Sequence, residues 1–288
     1  MQLEDLLQCL DLIETAPAIF RGQCVKAEWR RVFGGLVVAQ ALNATSRTAN
    51  GLPPHSLHGY FILPGNPALP IFYHVDILRD GKSFGSRRCD AVQNDQVIFS
   101  ALASFQKEEP GLDHHLPMPA VPPPEDLPSE SEIEARYGEL LPKALRVWFD
   151  VGKHPIETRF VDVSRFIDRR KRQPLQNIWF RAAGRLPDDP AVHRAVLAYM
   201  SDLTLLDTAV IAHGRTIFDA DLQAASLDHA LWFHRPFRAD EWLLYAQDSP
   251  NSFGARGLTR GLIYTQDGTL AASVAQEGLI RQRSAKPF

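Results

Sequence analysis

The most constraining feature of this sequence is a pattern that occurs twice. A run opened by Gly34-Gly35 stays apolar on nearly every side through Leu36, Val37, Val38, Ala39, Ala41 and Leu42, reaching about Thr45. A second run starts at Pro190 and carries Val192, Val196, Leu197, Tyr199, Met200, Leu203, Leu205 and Leu206. A helix that is apolar all round has to be wrapped by its surroundings. Each run is followed by four segments of strand character. They cover residues 55–63, 71–78, 83–93 and 97–106 after the first run, and 225–233, 242–247, 253–265 and 269–279 after the second. Asp80-Gly81, Asn94-Asp95 and Asp267-Gly268 read as hairpin turns.

The two halves also share residues. Ser83-Phe84-Gly85-Ser86-Arg87 answers Ser252-Phe253-Gly254-Ala255-Arg256 at an offset of 169, and Ser56-Leu57 answers Ser226-Leu227 at 170, as Gln106 answers Gln276. We read a tandem duplication of one helix-plus-antiparallel-sheet unit. A long central helix wrapped by a curved antiparallel sheet is the hotdog fold, so the expected class is α+β, a tandem (double) hotdog with two central helices. The expected units are 1–107 and 157–288. Between them, residues 108–156 hold seven prolines from Pro110 to Pro128, the mark of an extended connector. Ser129 with Glu132 makes a capping box for a helix reaching roughly Phe149. This segment reads as a linker with its own helix and no core. Residues 3–13 read as a short amphipathic helix, and 18–25 as a strand.

Composition narrows the class. A formal net charge of −3 gives no reason to expect nucleic-acid binding. Three cysteines, Cys9, Cys24 and Cys89, form no CxxC pair, so neither a disulfide framework nor a zinc site is indicated. Glu4, Asp5 and Asp11 interrupt the N-terminal leucines, and no run of about 18 apolar residues exists. A soluble, cytoplasmic protein without membrane insertion is expected.

Divergence between the halves locates the chemistry. The first apolar helix has no Asp or Glu from Phe33 to Asn50, whereas the second has Asp202 among Met200, Leu203 and Leu205. No Lys or Arg lies between Arg194 and Arg215 to neutralise it. A carboxylate in that setting needs hydrogen-bond donors or an upward pKa shift. The alternative is that Asp202 caps a helix break beginning at Ser201. Donors have to come from facing strands, where Ser226 and Gln276 are candidates. Ser226 opens an unusual stretch, 225–237, in which Asp228, His229, His234 and Arg235 interrupt Leu231, Trp232 and Phe233. That stretch reads either as a polar strand facing a cleft or as a satisfied structural corner.

Several blocks together resemble the acyl-CoA thioesterase II family, which has two tandem hotdog units. They are Arg31-Val32-Phe33-Gly34-Gly35 with Val37 to Leu42, His55-Ser56-Leu57-His58, and Arg79 to Phe84. In the second half they are Ser201-Asp202-Leu203, Asp228-His229 through Trp232 to Phe237, and Gln276-Glu277-Gly278. The resemblance implies hydrolysis of fatty acyl-CoA to fatty acid and CoA. It also implies a site made of an Asp, a Thr or Ser and a Gln that position a water, falling here on Asp202, Ser226 and Gln276. Ser226 stands where many members carry Thr. One working site per chain and a homo-oligomer, dimer or tetramer, are expected. Asp228, His229, His234 and Arg235 then read as framework beside that site.

Competing readings are a hotdog hydratase or dehydratase and a non-catalytic acyl-CoA-binding protein. Gly81-Lys82-Ser83-Phe84-Gly85 matches a nucleophile elbow in letters, but it sits at a hairpin turn with strand, not helix, after it. No cofactor is indicated. No metal is expected, since His229 and His234 lack a metal-pair spacing and HExxH is absent; His114 and His115 read as solvated. Arg165, Arg169, Arg170, Lys171 and Arg172 form a basic cluster in which Arg169 and Arg170 are candidates for the CoA phosphates, although such runs are usually solvated.

Overall fold

The computed structural model describes residues 1–24, 31–141 and 154–283. After α1 (Leu3–Leu10), β1 (Ile13–Ala16) and β2 (Ile19–Gly22) form a tight hairpin turned at Ala18 with φ 57°; β2 lies within the expected strand 18–25, and β1 takes up residues not expected as strand. The end of that expected strand, Val25, lies outside the described residues. α2 (Gly34–Arg47) buries ten of its residues, including every one from Gly35 to Leu42, as its all-round apolar sequence requires. β3 (Pro54–Phe61), β4 (Ile71–Asp80), β5 (Phe84–Gln93) and β6 (Gln96–Gln106) follow. The β5–β6 turn places Asn94 and Asp95 at φ 49° and 57°, the left-handed pair that a two-residue hairpin demands.

In the second half, β7 (Ile156–Phe160), α4 (Ser164–Ile167) and β8 (Leu175–Ala182) precede the second central helix, α5 (Pro190–Ser201). Asp189 caps it through its side chain to the Ala191 amide, and Pro190 occupies the first turn. The helix stops at Ser201, five residues before the apolar run ends at Leu206, so Asp202 is the C-cap and not a mid-helix residue. A short α6 (Thr208–Ile211) takes up the remaining apolar residues. The stretch expected as one strand from 225 to 233 is two strands, β9 (Leu222–Ser226) and β10 (Asp228–Phe233). β11 (Leu243–Phe253), β12 (Arg256–Thr265) and β13 (Leu270–Gln282) follow.

Among the described residues the strands form one antiparallel sheet in the order β1-β2-β4-β5-β6-β3-β10-β13-β12-β11-β8-β7, with β9 pairing β13. The order reads the same from both ends once the halves are matched. β3 and β10 form the seam, with Leu57 opposite Leu231. α2 and α5 pack on each other inside the curved sheet, the N-terminus of α2 against the C-terminus of α5. This is the double hotdog.

Matched by sheet position, β3, β4 and β5 correspond to β10, β11 and β12 at an offset of 172 and β6 to β13 at 173, not 169 or 170. Tyr73 and Tyr245, Gly85 and Gly257, and Phe61 and Phe233 are such pairs. The Ser-Phe-Gly identity is therefore not a spatial one: Phe84 opens β5 whereas Phe253 closes β11. Gln106 likewise ends β6 opposite Phe84, while Gln276 lies mid-strand opposite Thr259.

The connector carries more apolar packing than its prolines suggest. Met118, Val121 and Leu127 pack on Trp179, Trp242, Leu244, Tyr264 and Leu270, and Trp179 Nε1 donates to Pro122 O at 2.9 Å. The capping box forms, with Glu132 N donating to Ser129 Oγ at 3.2 Å and Ser129 N to Glu132 Oε2 at 2.7 Å. Its helix, α3 (Glu130–Tyr137), is shorter than expected, and the far end at Phe149 lies outside the described residues. Ile133 and Leu141 close a second cluster with Phe160, Phe166 and Ile178.

Candidate active site

Asp202 sits where α5 ends, with no helical turn beyond it to compete for its carboxylate. Its Oδ1 accepts from Gln276 Nε2 at 2.5 Å and from Ser226 Oγ at 3.3 Å. The Gly35 amide, in the first turn of α2, donates to the same carboxylate. A Cβ on Gly34 would stand 2.7 Å from Asp202 Oδ2, so only glycine leaves room for that approach. The first-turn amides of a helix lack intrahelical partners and carry positive potential. The site is therefore built from both halves: a carboxylate from the second and a helix N-terminus from the first. Burial pushes the Asp202 pKa up to about 6, against the lowering effect of the Gln276, Ser226 and Gly35 hydrogen bonds.

The donors are held from behind. Gln276 Nε2 also lies 3.1 Å from Ser226 Oγ and 3.2 Å from His229 Nδ1. His229 Nε2 is 2.8 Å from Ser201 Oγ, whose hydroxyl donates to Ala198 O at 2.9 Å. The Tyr245 hydroxyl donates to Ser201 O at 2.9 Å and so fixes the residue that precedes Asp202. His229 is completely buried, and that burial lowers its pKa to about 4. Gln276 Oε1 is buried without a hydrogen bond from any described residue.

Asp202 and Ser226 face a cavity of about 410 Å³. Its walls are largely apolar: Phe33, Val37, Phe61 and Phe99 from the first half, Leu203, Leu206, Ile217 and Phe218 from the second. The wall on the second-half side is pinned by Asp207, which accepts from the Ile217 amide at 2.8 Å and pairs with the buried Arg165 guanidinium. A long apolar chain fits the walls, and a polar reacting group fits the floor.

The matching position in the first half is closed. Arg87 and Ala103 stand opposite one another there, as Thr259 and Gln276 do in the second half, and Leu57 replaces His229. Thr48 caps α2 where Asp202 caps α5. The Arg87 side chain, fully buried, fills the space: it donates to Thr48 Oγ1 at 3.0 Å, Arg79 O at 2.9 Å and Asp80 Oδ1 at 2.6 Å.

The three residues singled out in sequence, Asp202, Ser226 and Gln276, thus meet in one cluster, with His229, Ser201 and Gly35 added to it. His234 lies outside the cluster, bonded to Ser273 Oγ at 2.8 Å, and Arg235 binds Asp113 and the Leu270 carbonyl. Arg169 pairs with Asp219, Arg170 with Asp168 and Arg172 with Asp162. Ser83 lies in the β4–β5 turn with strand on both sides, the wrong setting for a nucleophile elbow. Among the described residues, no three His, Cys, Asp or Glu side chains are grouped to hold a metal ion, and no helix is long and apolar enough to cross a membrane.

Comparison with known proteins finds relatives over nearly the whole chain. The acyl-CoA thioesterase family profile matches residues 150–279, and the profile of the acyl-CoA thioesterase N-terminal domain matches 25–106. Acyl-CoA thioesterase 2 of Haemophilus influenzae is 38% identical over 280 residues, covering 97% of this chain and 98% of that protein. Human acyl-coenzyme A thioesterase 8 is 39% identical over 279 residues, covering 91% of this chain and 84% of its own. The crystal structure of an acyl-CoA thioesterase II from Mycobacterium marinum superposes with a TM-score of 0.80 at 42% identity, over 97% of this chain and 99% of that one. A double hotdog with a buried carboxylate on the floor of an apolar cavity, and near-full-length relatives of this kind, lead to one conclusion: the chain belongs to the acyl-CoA thioesterase II family and is an acyl-CoA thioesterase.

Proposed function

We propose that this chain hydrolyses fatty acyl-CoA with a water activated by Asp202 and positioned by Ser226 and Gln276. The observation that carries this reading is the raised Asp202 carboxylate, hydrogen-bonded to Ser226 and Gln276 at the floor of the apolar cavity. The acyl chain enters the cavity and leaves the thioester carbonyl beside Asp202. Water oxygen bonds to the carbonyl carbon while its proton passes to Asp202. A base poised near neutrality is suited to that transfer, an effect typically worth about 10²–10⁴-fold. Negative charge on the carbonyl oxygen is stabilised by the positive potential at the N-terminus of α2. The carbon–sulfur bond then breaks, CoA leaves as thiolate, and the proton on Asp202 returns to it, giving fatty acid and CoA thiol. Ser226 serves as a hydroxyl that orients water and not as a nucleophile, since the nearby imidazole of His229 reaches Gln276 and Ser201 instead.

Arg169, tied to Asp219 beside the cavity-lining Phe218, and Arg170 next to it are our candidates for contact with the CoA phosphates. We assign units 1–107 and 157–288 with a connector between them, a cytoplasmic setting and a homo-oligomeric state, dimer or tetramer, to the working enzyme. The test is free-thiol release across acyl-CoA chain lengths, run beside Asp202→Asn. Thiol release is expected from the native chain, with a loss of more than about 10²-fold in the variant. Full activity in Asp202→Asn removes the base from Asp202, and a change in enoyl absorbance without thiol release points to a hydratase.

A further inference from the structure

The amide of Gln276 can face Asp202 in two ways, and only one is productive. With Nε2 toward Asp202 it donates to the carboxylate; turned over, it sets Oε1 against a negative charge. The cluster contains a side chain whose proton placement decides between them. Ser201 Oγ spends its single hydrogen on Ala198 O, 2.9 Å away, so it can only accept from His229 Nε2, 2.8 Å away. His229 therefore carries its hydrogen on Nε2 and offers a bare lone pair at Nδ1. That lone pair lies 3.2 Å from Gln276 Nε2, shares the second Nε2 hydrogen with Ser226 Oγ at 3.1 Å, and accepts only if the amide shows it NH₂.

We propose that His229 is a positioning residue that fixes the orientation of the Gln276 amide, directing its NH₂ to Asp202 and Ser226 and keeping its carbonyl oxygen turned away from the carboxylate. This rests on the reading of Asp202 and Gln276 given above, and it adds a residue whose Nδ1 stands 3.9 Å from Asp202 Oδ1, beyond hydrogen-bond reach of the carboxylate. Three further observations support it. Gln276 Oε1 is buried with no hydrogen bond from a described residue, so no donor on that side holds the amide and its orientation is set at the Nε2 end. His229 is fully buried, and its depressed pKa keeps it in the neutral form that a lone pair at Nδ1 requires. In the half whose site is closed, Leu57 takes this place and Ala103 takes that of Gln276, so the imidazole and the amide are absent together.

The leucine shows that an apolar side chain of similar size suits this position in the fold, which makes His229→Leu a fair test of the hydrogen bonds. An asparagine at 229 sets an amide oxygen near the place of Nδ1 and keeps the acceptor for Gln276. A glutamine reaches instead to the place of Nε2 and keeps only the contact with Ser201. In thiol-release kinetics His229→Asn is expected to hold kcat within about 10-fold. His229→Gln and His229→Leu are expected to lose about 100-fold in kcat with KM changed by less than about 3-fold. Equal kcat in the Asn and Gln variants, or native kcat in His229→Leu, overturns the proposal. If His229→Leu does not fold, the Asn–Gln comparison still decides. Nitrogen-15 spectra of the histidine-labelled chain, with His229→Asn used for assignment, read the tautomer without reference to activity. A neutral Nε2–H ring between about pH 5 and 8 is expected, and an Nδ1–H or cationic ring overturns the proposal. A native chain that releases no thiol sinks the hydrolase reading while the spectra still judge His229.

Discussion

Ser226 and His229 face the same cluster although they are three positions apart, because Leu227 is an extra residue between two strands. Ser226 lies opposite Gly278, whereas Ala230 lies opposite Ala275, a register moved by one across the break. Asp228 Oδ1 takes the Glu277 amide at 2.6 Å and satisfies the backbone donor that the shift displaces. In an unbroken strand the two side chains would point to opposite faces. Deleting Leu227 is therefore expected to turn Ser226 outward and cut thioesterase activity by about 100-fold or more, measured as thiol release. Native activity in the deletion would show that the bulge does not set the site.

The pH dependence follows from the two opposite shifts. The proposed base, Asp202, can take a proton only when ionised, so kcat is expected to rise with pH through about 6 and then level off. His229 titrates near 4 and contributes no second rise. A rate profile flat from pH 5 to 7 would contradict the base assignment.

The same shift predicts a change in stability. With a folded pKa of about 6 above an ordinary carboxylate value of 3.8, the folded chain holds the proton more tightly than the unfolded one. Stability from this group is fully present below about pH 4 and is lost as pH rises through about 6. Asp202→Asn removes that penalty, so at pH 7.5 the variant is expected to melt above the native chain, by an amount of order 1–3 kcal/mol. Equal melting at pH 5 and 7.5, for variant and native alike, would refute the burial penalty.

Gly34→Ala places a methyl group 2.7 Å from Asp202 Oδ2 and 3.0 Å from the Phe61 ring. Alanine is the better helix former, so the helix itself gains. The expected outcome is a folded chain with kcat down about 100-fold. Unchanged kcat would mean that Asp202 can retreat without loss.

One site per chain is expected, because Arg87 fills the matching space in the first half. Calorimetric titration with a non-hydrolysable thioether analogue of acyl-CoA should give one equivalent per chain; two equal sites would disprove this. Arg87→Ala is expected to cost about 3 kcal/mol in denaturant unfolding and to open no second site, since it strips partners from Asp80 and Thr48.

The duplication was legible in the sequence because two helices buried on all sides cannot hide their composition. Asp202 was legible because an unneutralised carboxylate stands out in an apolar run, although its place at the helix end was not: Met200 and Leu203 read alike as helix or as loop packed on a core. Local identities misled the spacing of the repeat, since Ser83-Phe84-Gly85 and Ser252-Phe253-Gly254 fall on opposite sides of their turns. His229 escaped notice as part of the cluster because a one-residue bulge reverses the parity on which strand reading depends. Arg87 escaped for another reason: its partners Thr48, Arg79 and Asp80 are polar groups brought together only by folding.

Since Asp202 comes from one half and the Gly34–Gly35 turn from the other, neither half alone is expected to turn over substrate. A gene cut between Glu109 and Leu112, where the chain is exposed, would yield two inert fragments. Their mixture should regain turnover once β3 finds β10, so the seam would report fragment complementation through the release of thiol.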